Sequence, residues 1–392
     1  MAEVSAAAAV TGYRRAWLAL VGIAAALVLA SAGSAGPVQP APPLVQVTPD
    51  ELQLSEPLKA LDARGGRVAF GFCNQLVGVW RPGETDVTRL GPVAQWTCPP
   101  PRSLETIFSF ALAGDRVAWV VHTGGNVVTN LLFTVILGQP HTLTIPAGFS
   151  QCCRGFPEPD RIGDVYGDGS FIAFSSRVKC GDMNAPACPS GAPRTLLSQT
   201  VWRLRRPPFQ APCVGKPGPC VQLATRNDVL QPLSVDSGRV VLRRSNGTLV
   251  VRRSGGGLVR MFPALAGRTR GAELMGRRLV VLVPGKLLAF SLATGAQLRE
   301  RSVPNVPSAG VCGMPPCPAA TLRLVDASRG LVAYILSGDL HLLRLRDGQD
   351  SVVAAATDAR FGDTGLFYAY TATGQWPARI RFMPWASLPV QP

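Results

Sequence analysis

The stretch LDARGGRVA at Leu61–Ala69 decides the fold, because it returns as VDSGRVV at Val235–Val241 and as VDASRGLVA at Val325–Ala333. A looser copy, AGDRVA, occupies Ala113–Ala118. In each copy an apolar residue precedes a cluster of turn-forming residues, and a run of apolar and β-branched residues follows. The repeat therefore predicts a β-hairpin that recurs along the chain.

The first apolar residue after each turn serves as an anchor for the second strand of the hairpin. Seven anchors occur, at Val68, Val117, Ile172, Val240, Leu279, Leu331 and Leu366. Their spacing averages about 50 residues, and a third β-rich run, a Gly turn and a short fourth strand follow the anchors. Four short strands in each repeat of this length are typical of a β-propeller blade. Two stacked β-sandwiches, the other all-β arrangement, predict no common period.

We therefore predict an all-β chain, a seven-bladed β-propeller after an N-terminal signal peptide or anchor helix, with almost no helix elsewhere. The domains are residues 1–35 (signal or anchor), 36–60 (Pro-rich linker) and 61–388 (propeller). Residues 44–54 contain LVQV and are a candidate strand for the closing blade. In the third blade, a long insertion at residues 175–198 displaces the third strand to about Gln199–Leu204.

One blade carries a family resemblance. KLLAFSLATGAQL at Lys286–Leu298 resembles the repeat of quinoprotein-type propellers, with its Thr-Gly turn between the last two strands. Residues 61–388 as a whole are loosely similar to bacterial TolB-like and WD-like propellers, although no blade contains the WD dipeptide. The resemblance implies the propeller fold and does not select a function.

Composition excludes several classes of protein. Of the 392 residues, 47% are hydrophobic, 41 are Gly and 35 are Pro. A disordered chain lacks this much apolar surface, and a helical bundle does not tolerate so many helix breakers. Only one apolar run, Ala16 to Ala35, is long enough to span a bilayer, which excludes a polytopic membrane protein.

The N-terminus has the order of a secretory signal. Arg14 and Arg15 end a charged region, Ala16–Ala30 is apolar, and Ala30-Ser31-Ala32 offers small residues for cleavage. These features place the remainder outside the cytoplasm, secreted or tethered to the outer side of the membrane. Cleavage is favoured over an uncleaved anchor, because the apolar run is rich in Ala and Gly. Arg14-Arg15 also resembles a twin-arginine signal.

Cysteine usage agrees with export. The ten cysteines all follow the signal: Cys73, Cys98, Cys152, Cys153, Cys180, Cys188, Cys213, Cys220, Cys312 and Cys317. An even number in an exported chain predicts disulfides, and three pairs are close in sequence: 180 with 188, 213 with 220, and 312 with 317. Since disulfides form after export, they favour unfolded secretion over the twin-arginine route. Zinc is disfavoured, because no CxxC occurs and no His lies near a Cys cluster.

Blade topology places eight of these cysteines on one face. In a propeller, the turns between second and third strands share a face with the connections between blades. All except Cys213 and Cys220 map to such segments. The long loops of that face contain aromatic and charged residues, the mixture enriched at contact surfaces: Trp96, Arg154, Phe156, Asp160, Lys179 and Asp182. We predict that they contact a partner. The alternative is that the cross-linked loops only resist proteolysis.

Catalytic motifs are mostly missing from the sequence: it has no GxSxG, HExxH, phosphate loop or nucleotide fingerprint. His122, His141 and His341 are isolated from one another, and His341 alternates with leucines as a packed residue would. Asp62, Asp236 and Asp326 recur within the repeat, which predicts turn formers rather than a functional ring. Asp164, Asp168 and Asp182 are cation candidates in a loop-rich blade, but their spacing lacks the pattern of a calcium loop.

The formal net charge is +15, and residues 239–301 alone contribute +11. This charge suggests a polyanionic partner such as an acidic envelope polymer or anionic lipid. Lys occurs only four times against 35 Arg, which is typical of GC-rich coding rather than of a dedicated surface. Few aromatic residues interleave with these arginines, and this disfavours nucleic acid.

Two function classes remain. The first is a non-catalytic propeller that binds an envelope protein or anionic polymer through its cross-linked face. The second is an enzyme, whether hydrolase, lyase or quinone-cofactor oxidoreductase, with a site in the central channel. A quinoprotein needs Trp docking motifs in every blade, whereas the seven Trp here share no blade position. We therefore predict no cofactor. Carboxylates converging in the channel would favour the enzyme.

Overall fold

The computed structural model describes residues 45–73, 76–91, 98, 106–123, 127–152, 161–180, 196–206, 220–224, 231–306, 321–371 and 378–392. These residues form 29 strands in seven antiparallel sheets. Their helical segments are two single 3₁₀ turns, Pro263–Leu265 and Trp385–Ser387. The predicted all-β, seven-bladed propeller is confirmed.

In chain order the strands are β1 (Val45–Val47), β2 (Glu51–Leu54), β3 (Leu58–Arg64), β4 (Arg67–Phe72), β5 (Leu76–Trp80), β6 (Thr88–Leu90), β7 (Thr106–Ala113), β8 (Arg116–Thr123), β9 (Val127–Ile136), β10 (Gln139–Cys152), β11 (Arg161–Asp168), β12 (Phe171–Lys179), β13 (Leu196–Leu204), β14 (Cys220–Ala224), β15 (Gln231–Asp236), β16 (Arg239–Arg243), β17 (Leu249–Arg253), β18 (Leu258–Phe262), β19 (Gly271–Met275), β20 (Arg278–Val283), β21 (Lys286–Ser291), β22 (Gln297–Ser302), β23 (Leu322–Ser328), β24 (Leu331–Leu336), β25 (Asp339–Arg344), β26 (Asp350–Ala355), β27 (Asp358–Phe361), β28 (Gly365–Thr371) and β29 (Ala378–Pro384).

Six blades each consist of four consecutive strands, starting at β3, β7, β11, β15, β19 and β23. The first strand of each blade is its inner strand, and these strands contact one another in a closed ring from β3 through β27 back to β3. All seven predicted anchors lie in the second strand of their blade, and each is 0% exposed. The repeat was visible in the sequence because every blade must bury this position.

The seventh blade closes the ring with strands from both ends of the propeller. Its sheet has the order β1-β2-β29-β28-β27, and Leu52 pairs with Ile380. Within the candidate segment 44–54, β2 supplies the strand proposed for the closing blade, and β1 adds a fifth strand. The compact unit begins at Leu44, so this segment belongs to the propeller although we assigned it to the linker 36–60. Leu52 and Leu54 are buried in alternation with Glu51 and Gln53, the period of a half-buried strand.

Apolar side chains between blades hold the ring together. Each of the seven boundaries between adjacent blades encloses its own cluster of buried residues. Trp80 lies in the cluster between the seventh and first blades, and Trp119 lies in the next one. Both indoles are almost fully buried. A single blade has two apolar faces, so neither face is shielded from water until both neighbours are in place.

The third blade differs from the prediction in the length of its insertion. Its third strand, β13, starts at Leu196, and β12 continues to Lys179, which pairs with Leu196. The insertion therefore spans residues 180–195 and not 175–198. The reason is that β12 and β13 continue to pair, as far as Lys179 and Leu196, beyond the expected end of the hairpin.

Residues 1–44, which contain the predicted signal, lie outside the described residues. In the part of the chain that is described, no helix is long and apolar enough to cross a membrane.

Loss of a buried side chain in the closing strand should weaken the whole ring. Leu52 is 0% exposed and packs between the first and seventh blades. We expect Leu52→Ala to lower the free energy of unfolding by about 2–5 kcal/mol, measured by urea denaturation. Leu258→Ala, at a position 56% exposed, is the matched control and should change it by about 0.5 kcal/mol or less. Equal effects of the two substitutions would contradict the closure by β2.

Candidate functional site

The central channel contains a cavity of about 260 Å³ on the inner side of the blades. Its charged lining consists of five carboxylates and three cationic groups: Asp62, Asp164, Glu273, Asp326, Asp358, Lys59, Arg64 and Arg360. These side chains come from the inner strands of five blades. Carboxylates from different blades thus converge in the channel.

Strand register shows which of these residues are equivalent. Asp62 pairs with Ala69, two residues back from the turn of its hairpin, and Asp326 pairs with Ala333 at the same position. In the fourth and fifth blades this position is held by Ser234 and Glu273. Asp236, which the repeat aligned with Asp62, lies two residues closer to the turn.

Alignment of the repeat copies in the sequence therefore did not identify Glu273 as an equivalent of Asp62. The signal that could have found it is its distance from the anchor: Glu273 precedes Leu279 by six residues, as Asp62 precedes Val68. The turn in that blade, MGRR, does not match the other copies, so the repeat was not recognised upstream of it.

Asp62 and Asp326 each connect two blades. One carboxylate oxygen of Asp62 accepts a hydrogen bond from the following backbone N–H of Ala63 at 2.9 Å, and the other accepts from the N–H of Leu112 at 2.7 Å. Asp326 repeats this arrangement with Ala327 at 2.7 Å and Phe361 at 2.8 Å. Leu112 and Phe361 belong to the inner strand of the next blade. We use the term inter-blade latch for a hydrogen bond between a side chain of one inner strand and the backbone of the next blade's inner strand or of the turn that follows it.

Latches occur at three further boundaries. The hydroxyl oxygens of Ser109 and Ser234 accept from the N–H groups of Val165 at 3.0 Å and Leu274 at 3.1 Å. Asp168 accepts from the N–H of Ser237 at 2.5 Å. Asp236 also accepts from a backbone N–H of the next blade, that of Gly276. The prediction that the recurring aspartates only form turns was wrong, because their carboxylates reach across to the neighbouring blade.

Two arginines extend this network across the channel. Arg64 donates to the carbonyl oxygen of Phe361 at 3.2 Å, and its Nη1 lies 4.0 Å from Asp326 Oδ2. Arg360 donates to Asp358 at 3.0 Å, and its Nε lies 4.0 Å from Asp62 Oδ1. Each guanidinium therefore faces carboxylates of more than one blade.

Burial in the channel raises the pKa of two of its carboxyl groups. Burial raises the pKa of Asp62 to about 6, although Arg64 and Arg360 act in the opposite direction. Burial, with a further contribution from Asp326, raises the pKa of Glu273 to about 8. Burial therefore favours the protonated form of Glu273 more strongly than that of Asp62.

Two of the three predicted cation residues lie on a strand rather than in a loop. Asp164 and Asp168 both lie on β11, where Asp164 lines the cavity and Asp168 forms a latch. The Gly169-Ser170 turn makes this segment a hairpin, which is why it is not the loop we expected. Asp182 lies outside the described residues. Within the described ranges, no group of three or more His, Cys, Asp or Glu could hold a metal ion.

Disulfides are present at the face predicted for partner contact. Cys73, directly after β4, is bonded to Cys98 in the connection between the first and second blades, with their Cα atoms 5.1 Å apart. Cys180, directly after β12, is also disulfide-bonded. So is Cys220, but it starts β14 beside Leu204 and therefore lies at the opposite face. Cys152 ends β10. The other cysteines lie outside the described residues: Cys153, Cys188, Cys213, Cys312 and Cys317.

The predicted contact residues are mostly beyond what the structure describes. Lys179 is the last residue of β12, at the end of the blade that leads into the insertion. The remaining candidates lie outside the described residues: Trp96, Arg154, Phe156, Asp160 and Asp182.

The histidines are not part of the channel cluster. His341 stacks on the buried Tyr334 with ring centroids 4.7 Å apart, and its Nδ1 lies 3.4 Å from Asp350 Oδ1. It is therefore a packed residue, as its alternation with leucines indicated. His122 Nδ1 lies 3.0 Å from Asn130 Oδ1 in the second blade.

Much of the basic charge at residues 239–301 bonds to the protein's own backbone. Arg239 donates to the carbonyl of Gly276 at 3.3 Å, and Arg252 to that of Gly256 at 2.7 Å. Arg260 and Arg270 donate to the carbonyls of Ala293 and Val306. These guanidiniums fasten turns and neighbouring blades, so the charge of this segment does not by itself define a polyanion-binding surface.

Comparison with known proteins gives only distant structural likenesses. No family model matches the chain, and no curated protein matches it. Solved structures similar to it include YCF48 bound to D1 peptide (12% identity, TM-score 0.46, covering 87% of this chain and 98% of that one). Another is BamB from Moraxella catarrhalis (11%, TM-score 0.42, 86% and 91%). A third is the computationally designed Ika8 protein (12%, TM-score 0.45, 87% and 99%). At these values the fold assignment rests on the strand pairing, and no function is inferred from these proteins.

Protonation of Glu273 should make stability fall as pH rises. A carboxyl with a higher pKa in the folded chain binds more protons when folded, so its contribution is complete below about pH 4.5 and declines toward pH 8. We expect Glu273→Gln to remove this decline and to be more stable than the wild type at pH 8. The decline is at most about 1.4 kcal/mol for each pH unit.

The measurement is urea denaturation at pH 6.5 and pH 8, a range above the pKa of Asp62. Glu300→Gln is the matched control, because Glu300 is an exposed acid paired with Lys286 outside the channel. The control should retain the wild-type decline. Parallel pH profiles for wild type and Glu273→Gln would disprove the assignment.

Proposed function

We propose that this protein is a non-catalytic extracytoplasmic propeller that binds an envelope protein or an anionic envelope polymer through its disulfide-bearing face. This face is the end of the channel where the connections between blades and the turns between second and third strands lie. The Cys73–Cys98 disulfide carries the proposal, because it joins one such turn to one such connection. Disulfides persist in oxidising compartments, so the bond also supports export.

The chemistry of the channel supports binding rather than catalysis. The carboxylates of Asp62 and Asp326 each accept two backbone hydrogen bonds, and Asp358 accepts from Arg360, Arg323 and a backbone N–H. A general acid or base must exchange its proton with a substrate in the transition state. Carboxylates committed to holding blades together are poorly suited to that task.

Two of the latches lie at the opposite end of the channel. Asp168 and Asp236 are the last residues of their inner strands, next to the turn into the second strand. The Cys73–Cys98 disulfide therefore lies at the other end of the channel from these two latches. The loops of the disulfide-bearing face contain the aromatic and charged residues expected of a contact surface, and loops on a rigid scaffold commonly carry binding residues.

A second candidate function is an enzyme with its site in the channel. Glu273 favours it, because a carboxyl with a pKa of about 8 beside Asp326 has the protonation expected of a general acid. The carboxyl of Glu273 hydrogen-bonds the side chain of Ser234 in the preceding blade. Loss of a measured hydrolase activity in Glu273→Gln, but not in Glu300→Gln, would select this function over the first.

Partner binding should depend on the disulfide-bearing face. We expect Trp96→Ala/Arg154→Ala/Phe156→Ala to lose the partners that the tagged wild type recovers from envelope extracts, because it removes two aromatic anchors and one cation. We expect the free energy of unfolding to change by about 0.5 kcal/mol or less, because the sequence predicts that these three residues lie in exposed loops.

The matched control changes three exposed residues on the opposite face, Arg81→Ala/Glu84→Ala/Arg346→Ala. This control should recover the same partners as the wild type. Unaltered recovery by the folded first variant, or equal loss by both variants, would exclude the disulfide-bearing face.

Export is tested at the N-terminus. We predict that mass spectrometry of the mature protein finds residues 1–32 removed. An intact N-terminus on membrane-bound protein would establish an anchor in place of a cleaved signal, and an intact N-terminus on cytoplasmic protein would contradict export.

A further inference from the structure

We infer that the channel cavity is a binding site for a small neutral polyhydroxyl ligand of the monosaccharide class. This site is separate from the disulfide-bearing face and does not depend on the function proposed above. The inference rests on hydrogen-bond donors and hydrogen-bond acceptors around one cavity that other groups of the described residues do not use.

Unused donors are present on Arg64. Its Nε is buried and, among the described residues, has no hydrogen-bond partner. Arg64 Nε lies 4.0 Å from Asp168 Oδ1. Its Nη1, which donates to the carbonyl of Phe361, lies 4.0 Å from Asp326 Oδ2, and both separations from a carboxylate exceed hydrogen-bond distance. A buried donor without a partner is costly, so a group that fills this gap gains free energy.

Unused acceptors face the same cavity. A carboxylate has about four acceptor positions, and the backbone N–H groups occupy two on Asp62 and two on Asp326. Asp62 Oδ1 lies 4.0 Å from Arg360 Nε, which repeats the spacing between Arg64 and Asp326. The cavity therefore presents guanidinium and carboxylate groups in pairs, each pair separated by the same gap.

The 4.0 Å separations between guanidinium nitrogens and carboxylate oxygens indicate which ligand group could bind between them. A hydroxyl can accept from the guanidinium N–H and donate to the carboxylate oxygen, so it completes both bonds at once. An ammonium group only donates and leaves Arg64 unsatisfied. An anion only accepts, so it cannot donate to Asp62 or Asp326 and leaves their remaining acceptor positions unused. Water has the same dual capacity as a hydroxyl, and occupation by water alone is the competing outcome.

Size and wall composition agree with a sugar ring. The volume of about 260 Å³ approaches the lower end of small-molecule sites, roughly 300 Å³. Phe110 and Tyr166 line the cavity beside the charged groups. Aromatic side chains provide apolar contact for the C–H faces of a ring, while several hydroxyls reach the charged pairs.

Calorimetric titration of the full-length protein tests the inference. The probes are glucose, galactose and N-acetylglucosamine, with 1,4-diaminobutane as the cation and malonate as the anion. We expect at least one saccharide to bind more tightly than either charged probe. Arg64→Lys keeps the charge but removes Nε and the planar fork, and should weaken saccharide binding roughly 10-fold or more.

Arg67→Lys is the matched control. Arg67 lies on the same hairpin, and its Nε is likewise buried without a hydrogen-bond partner in the described part of the chain. It does not line the channel cavity, so saccharide affinity should be unchanged. If circular dichroism shows that Arg64→Lys does not fold, Arg360→Lys replaces it with the same expectation.

Three results would overturn the inference. No saccharide binding at tens of millimolar would leave water as the occupant. Tighter binding of 1,4-diaminobutane or malonate would assign the site to a charged ligand. Wild-type saccharide affinity in a folded Arg64→Lys or Arg360→Lys protein would place any saccharide outside the channel.

Discussion

The structure depends on the hydrogen bonds that connect one inner strand to the next. An inner strand pairs with its own blade on one edge and has unpaired backbone groups on the other. Those groups face a narrow channel, where leaving them without partners is costly. Side chains of the preceding blade supply the acceptors, as Asp62 does for Leu112 and Asp326 does for Phe361. The blades are thereby fixed at the channel, and the apolar clusters between them fill the space farther out.

This constraint explains why the channel is so rich in charge. A carboxylate that serves as a latch is held inside the channel, and each additional one raises the cost of the next. Arg64 and Arg360 offset this repulsion by reaching carboxylates of several blades. The compensation is incomplete, since burial and Asp326 still raise the pKa of Glu273. A polar cavity with unused hydrogen-bonding capacity results from building a narrow ring in this way.

Several arginines stabilise the ring by donating hydrogen bonds to backbone carbonyls of turns and neighbouring blades. Arg239 donates to the carbonyl of Gly276 in the next blade, and Arg260 donates to that of Ala293. The planar guanidinium of arginine can satisfy several carbonyl acceptors at the edge of a turn while keeping its charge partly hydrated. A high positive charge in the sequence therefore reflects, in part, how the blades are held together.

The sequence by itself determined the blade number, the anchors and the closing segment, because each of these follows from a local period of buried and exposed positions. It also placed Cys73 and Cys98 on one face, since connectivity alone assigns a loop to one end of the channel. Only the tertiary structure decided which acids are equivalent. Glu273 and Asp62 share a position through strand register, which similarity of residue type did not reveal. Only the closed ring brought carboxylates and guanidiniums of five blades around one cavity, because those residues are hundreds of positions apart and meet only when the last blade joins the first.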